Sequence, residues 1–207
     1  MAPESEALFE LVDNGNGSYA VEVREGIRLD YENLSHRVVN VIVSDGVHTF
    51  SRDIAFNITD EVDVFKGTKK ADALTGTAGR DIIKGLAGKD VLSGGAGQDA
   101  FVFDSKPNKK TNLDKVADFS VADDSIWLEN KIFTQLGKKG SETAPAQLKK
   151  SFFVVGDKAK DKNDYLIYSK KSGKLLYDVD GSGAKAAVEI ATLSKKLSLT
   201  YKDFFVI

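Results

Sequence analysis

Between Gly67 and Val102 the sequence repeats every nine residues, as GTKKADALT, GTAGRDIIK, GLAGKDVLS and GGAGQDAFV. Each copy sets a glycine first, an aspartate sixth and an apolar residue eighth, and a chain that obeys this period winds into a solenoid of stacked turns. The residues around each eighth position predict a minimal strand whose middle side chain, Leu74, Ile83, Leu92 or Phe101, faces the interior. The remaining six make the turn. Two copies complete one coil, so copies one and three are expected to stack in one sheet and copies two and four in the other. The predicted fold is mostly β: a parallel β-roll, an antiparallel β unit before it, and a β-rich C-terminal capping module with short helices after it. The boundaries read as 1–64, 65–128 and 129–207.

Glycines at the first position (Gly67, Gly76, Gly85, Gly94) and the fourth (Gly79, Gly88, Gly97) permit φ > 0 and close backbone approach. Main-chain carbonyls can therefore converge, and the predicted cation ligands are Gly67, Lys69 and Asp72, then Gly76, Ala78 and Asp81, then Gly85, Ala87 and Asp90, then Gly94, Ala96 and Asp99. Stacking pairs Asp72 with Asp90 and Asp81 with Asp99. Hard oxygen donors in an irregular cage favour Ca²⁺ over Mg²⁺, which demands near-ideal octahedral geometry. About two ions are expected, with Asp104, Asp114, Asp118 and Asp123 as candidates for a third near Asp118/Asp123. A Gly-rich linker would lack the phased aspartate and apolar positions.

These residues resemble the RTX (repeats-in-toxin, haemolysin-type calcium-binding) family, and the resemblance implies calcium-dependent folding after export through a type I secretion channel. The chain departs from the pattern at Lys70, where a fourth-position glycine belongs, and at Thr68, Thr77 and Leu86, which replace the second glycine. Lys69, Lys70, Arg80, Lys84 and Lys89 stand against the four aspartates, so like-charge repulsion alone does not unfold the metal-free state. Uncompensated inward carbonyls and a small core are expected to do so.

Before the repeats, Ser18 to Arg24, Arg37 to Val43 and Thr49 to Ile58 read as strands separated by Asn14-Gly15-Asn16-Gly17 and Ser44-Asp45-Gly46 turns. Leu29-Asp30-Tyr31-Glu32, Val43-Ser44-Asp45-Gly46 and Ile58-Thr59-Asp60-Glu61-Val62-Asp63 resemble the second half of a cadherin-like repeat. Such a resemblance implies calcium ligation by Glu32 and Asp60, but the first half is missing and Val62 stands where that pattern has Asn, so Asp30 and Glu32 read first as solvated turn acids. The missing half predicts a longer natural reading frame upstream.

After the repeats, Lys115 to Phe119 and Asp123 to Leu128 look like the atypical units that cap a solenoid. Glu129 to Leu136 is expected to form a short helix, and Tyr165 to Tyr177 a β-hairpin around Lys170-Lys171-Ser172-Gly173. Asp178, Asp180, Ser182, Gly183 and Glu189 fall on EF-hand loop positions. A strand precedes them and Lys185 takes the normally apolar place, so a turn is the favoured reading. The stretch YDVDGSGAKAAVEIATL resembles the terminal module of secreted RTX proteins, and the ending Asp203-Phe204-Phe205-Val206-Ile207 resembles an uncleaved type I export signal. Such an ending also reads as a final strand tucking Phe204 and Val206 into the core.

A formal net charge of −2 argues against a nucleic-acid partner, which needs a concentrated basic face. Cysteine is absent, so calcium is the expected staple in place of disulfides. No run approaches the roughly 20 apolar residues of a membrane span, and MAPESEALFE lacks the basic and apolar regions of a cleaved signal. Export is expected to be encoded elsewhere. Only His36 and His48 are present, without a zinc or nucleophile motif, and the prolines follow Ala2, Lys106 and Ala144, which excludes Asp-Pro self-cleavage. The expectation is a non-enzymatic, secreted calcium-binding protein, the end of an adhesin-like surface or matrix chain that contacts polysaccharide. The alternatives are the folding and secretion tail of a larger enzyme or toxin, and an assembly module completed by strand exchange. Tyr19, Tyr31 and Trp127 are sugar-stacking candidates, with buried aromatics the safer assumption.

Overall fold

The structure, a computed structural model, describes residues 8–25, 27, 29, 31 and 36–207. Two compact units divide the chain, Met1–Asp60 and Glu61–Ile207.

In the first unit, β1 (Phe9–Asp13) pairs antiparallel with β2 (Tyr19–Val23), and β3 (His36–Ser44) with β4 (Thr49–Asn57). Both predicted turns of this unit are held by carboxylates: Asp13 Oδ1 accepts from Gly15 N at 2.8 Å, and Asp45 Oδ1 from Val47 N at 2.8 Å and His48 N at 2.6 Å. Strand β1 was not read from the sequence; its alternation is short, and Phe9 earns its place by stacking on Phe56 at 5.7 Å. Phe9 and Val39 are the buried apolar side chains among the described residues of this unit. Asp30 and Glu32 lie outside the described residues.

The second unit begins with β5 (Asp63–Lys66) and continues through the copies as β6 (Ala73–Thr75), β7 (Asp81–Lys84), β8 (Val91–Ser93) and β9 (Ala100–Phe103). Next come β10 (Asp114–Val116), β11 (Ser125–Leu128), β12 (Ala146–Gln147) and β13 (Phe153–Val155), then β14 (Leu166–Tyr168), β15 (Lys174–Tyr177), β16 (Val188–Thr192) and β17 (Phe204–Val206). Two sheets result, ordered β13-β14-β15-β16-β10-β8-β6 and β12-β17-β11-β9-β7-β5. Alternate copies stack as the period predicts: Leu74 lies beside Leu92, and Ile83 beside Phe101.

The roll is longer than its four copies. Phe65 pairs with Ile83, Val116 with Leu92 and Ile126 with Phe101, all in parallel register. Asp63, Asp114 and Asp124 precede these residues by the same two places, so the Asp-x-apolar unit persists without the glycines that mark it. Ile83, Leu92, Phe101, Val116 and Ile126 meet Phe204 and Val206 in one core between the sheets. Residues one place away, Ile82, Ala100, Val102 and Trp127, form a second cluster with Ile207 on the opposite face of the six-stranded sheet, as the pleat requires.

The predicted hairpin is present, with Leu166 opposite Tyr177 and Gly173 at φ +80. The predicted helix at Glu129 to Leu136 is absent. Turns replace it, burying Phe133 and Leu136 in the core, because a segment so short cannot offset the cost of helix nucleation. The helical elements among the described residues are two single 3₁₀ turns, Lys150–Phe152 and Tyr201–Asp203.

Candidate metal centre

The sixth-position aspartates form a ladder along each side of the roll. Asp90 Oδ1 accepts from Asp72 N at 2.9 Å, and Asp99 Oδ1 from Asp81 N at 3.0 Å. The ladder runs on past the repeats: Asp114 Oδ1 accepts from Asp90 N at 3.0 Å and Asp124 Oδ1 from Asp99 N at 3.2 Å. One oxygen of Asp90, Asp99, Asp114 and Asp124 is thus spent on holding successive coils in register.

The second oxygens differ. Asp72 Oδ2 accepts from Thr68 N at 2.6 Å and Thr68 Oγ1 at 2.9 Å, and Asp81 Oδ2 from Thr77 N at 2.6 Å. Asp90 Oδ2 and Asp99 Oδ2 are buried with no hydrogen-bond partner. A carboxylate oxygen in that state costs free energy until a cation or proton meets it.

Carbonyls crowd into the same gaps. A Cβ on Gly67 would stand 2.6 Å from Gly85 O and 3.0 Å from Asp72 Oδ2. At Gly76 it would strike Gly94 O and Asp81 Oδ2, at Gly88 Lys70 O, at Gly95 Thr77 O, and at Gly97 Gly79 O with Ala78 O close behind. The first-position glycines are therefore required for close approach and not for φ > 0, which occurs in the repeats at Gly88, Gly95 and Gly97 and at Leu86. The carbonyls of Thr77, Gly79 and Gly94 line the gap between the second and fourth copies, and those of Lys70 and Gly85 the gap between the first and third. The second- and fourth-position carbonyls, of Thr77, Lys70 and Gly79, were missed in the sequence, where a carbonyl's direction leaves no residue-type signal. Of the predicted third-position carbonyls, Ala78 O borders its gap, and Ala96 N donates to Thr77 O at 3.2 Å. Lys69 and Ala87 line an open cleft with Lys106 and Pro107.

Burial raises the carboxyl of Asp90, and pushes that of Asp99 up to about 6 against the pull of Asp81 N–H, with Asp124, Asp81 and Asp118 adding like charge. Asp114 is pushed up to about 7, again by burial first. Among the described residues no three His, Cys, Asp or Glu side chains gather in a metal-binding cluster. Any ion here must take most of its ligands from the main chain. Carbonyl and carboxylate oxygens in a flexible cage with partnerless buried oxygens fit Ca²⁺.

Residues 66–101 match the RTX calcium-binding nonapeptide repeat, in four copies. The RTX repeats support calcium binding by this chain, while the aspartate ladder extends beyond the match to Asp124. No curated protein matches the chain. Repeats of the RTX class are typical of secreted proteins, and among the described residues no helix is long and apolar enough to cross a membrane.

The remaining candidates have other partners. Asp118 accepts from Gly94 N at 2.9 Å, Gly95 N at 3.0 Å and the Ser93 hydroxyl, which hold its carboxyl below the usual range although burial opposes them. Asp123 accepts from Ser120 Oγ at 2.9 Å, and Asp104 from Ser105 Oγ at 3.2 Å. In the EF-hand-like stretch Glu189 lies on β16 and pairs with Lys174 at 2.9 Å, while Asp180 Oδ2 accepts from Lys185 N at 3.2 Å and its Oδ1 is buried without a hydrogen-bond partner. Trp127 is 3% exposed and donates Nε1–H to Ser125 Oγ at 2.9 Å, so it has no free face for a sugar. Tyr19 is exposed.

Proposed function

We propose that this chain is a secreted RTX protein whose roll completes its fold on calcium outside the cell. The observation that carries the reading is the pair of partnerless buried oxygens, Asp90 Oδ2 and Asp99 Oδ2, among turns whose carbonyls press close to the glycines of the neighbouring coil. Two sites follow, one between the first and third copies at Asp72 and Asp90, one between the second and fourth at Asp81 and Asp99. The first-position carbonyls of Gly85 and Gly94 and the fourth-position carbonyls of Lys70 and Gly79 contribute alongside. Calcium supplies the positive charge that lets these oxygens share a gap. No such cage exists in an unfolded chain, so its binding free energy becomes folding free energy. At free ion about 100 times Kd one site adds roughly 2.7 kcal/mol, a large share of a net stability of about 5–15 kcal/mol.

Low cytosolic calcium then keeps residues 67–128 unfolded for type I export, and the C-terminal strand Phe204–Val206 serves as signal before it docks between β11 and β12. The exported protein acts without catalysis, as the C-terminal part of an adhesin-like surface or matrix protein that contacts polysaccharide. A second reading, a folding and secretion tail for a larger enzyme or toxin, is favoured by the compactness of Glu61–Ile207 as a unit of its own. Circular dichroism with and without chelator tests the calcium step. Strand signal should fall on chelation and return with calcium; an unchanged spectrum would reject it.

A further inference from the structure

We infer that the two sites are unequal and fill in order, the gap between the second and fourth copies first and the gap between the first and third copies later. The inference rests on the calcium reading above and concerns how that pair of sites responds to rising calcium.

Burial separates them first. Asp81 and Asp99 are each 1% exposed, whereas in the other gap Asp90 is equally buried but Asp72 is partly open to water. A cation shared by two dry carboxylates is screened less than one held at a wet edge.

Backbone separates them next. In the second and fourth copies the fourth position is glycine in both, Gly79 and Gly97, and Gly95 takes its φ of +96 without strain. The first and third copies hold Lys70 at the fourth position and Leu86 at φ +68. Leu86 sits between Gly85 and Ala87 in the turn that closes the gap from above. A leucine held in the left-handed region is strained, and ordering that turn around an ion must sustain the strain.

Charge acts in the same direction. Lys69, Lys70 and Lys89 lie in the turns of the first and third copies, against Arg80 in those of the second and fourth. Lys70 contributes its carbonyl to the gap while its side chain is exposed. Around Asp99 the nearby charges are the acids Asp81, Asp118 and Asp124. Around Asp90 the nearby charge is Asp72, so a dication is drawn more strongly to the gap at Asp99.

The test is calorimetric calcium titration of the full, metal-stripped chain. Wild type should show two classes of site separated by at least about tenfold in Kd. Asp81→Asn should remove the tighter class and spare the weaker, and Asp72→Asn the converse. Because an Asn variant can misfold, the double variant Lys70→Gly/Leu86→Gly provides a gain that misfolding does not mimic: the weaker class should tighten at least about threefold with the tighter class unmoved. Two equal classes, a reversed assignment, or a glycine variant that shifts the tighter class would overturn the order while leaving calcium binding intact. No binding heat in wild type, with no terbium luminescence on titration, would instead remove the calcium reading and the order together.

Discussion

Asp99 sets the terms at the scale of single residues, because it is buried, surrounded by other acids and half satisfied. Its carboxyl titrates near 6 in the metal-free fold against an ordinary 3.8, so the fold holds the proton better than the unfolded chain does. The sign follows: this group's effect on metal-free stability becomes more unfavourable as pH rises from about 4 through about 6. Asp114, near 7, extends the same trend upward. Whatever fold the metal-stripped protein keeps should therefore melt higher at pH 5 than at pH 7.5, while calcium-loaded protein should show the opposite order, since protons compete for the ligands. Thermal melts at the two pH values check both. Asp118 is a different kind of acid, spent on the amides of Gly94 and Gly95. Asp118→Ala leaves those donors unmet and should cost about 1–3 kcal/mol in urea unfolding with calcium present.

Strands and turns were legible from the sequence wherever the nine-residue period is marked by glycine. Leu74, Ile83, Leu92 and Phe101 fall in the predicted register because period and pleat agree on which side chain points inward. The coils carrying Val116 and Ile126 were legible only as capping units, since an inserted loop after Phe103 breaks the spacing, and the coil carrying Phe65 was missed because no glycine announces its turn. The ladder records this: its rungs lie 18 residues apart inside the repeats, but 24 and 25 across the later coils. The helix expected at Glu129 lost to the core's demand for Phe133 and Leu136. Candidate acids outside the repeats were visible as acids only; Asp114 and Asp124 continue the ladder, and Asp124 differs from Asp123 by its place in the pleat. Phe101, fully buried and packed against Phe119 at 6.0 Å, should be the costliest repeat side chain to truncate. Phe101→Ala is expected to destabilise the calcium-loaded roll by about 3–5 kcal/mol, read by chemical denaturation.

At the scale of the whole molecule, calcium response and core belong to one unit. Roll and C-terminal module share the two sheets, with β16 beside β10 and β17 beside β11. Residues 61–207 expressed alone should keep the full calcium-dependent gain in strand signal, whereas loss of that gain would mean that the first unit is needed. The last strand is paired on both sides and ends on Ile207, 3% exposed, so the terminal residues that resemble an export signal are covered once the fold is complete. All of this depends on ions filling the gaps between turns. Native mass spectrometry of the intact chain in calcium counts them directly: the account predicts about two bound per molecule, lost on chelation, and a spectrum of protein with no bound calcium at millimolar concentration would contradict it.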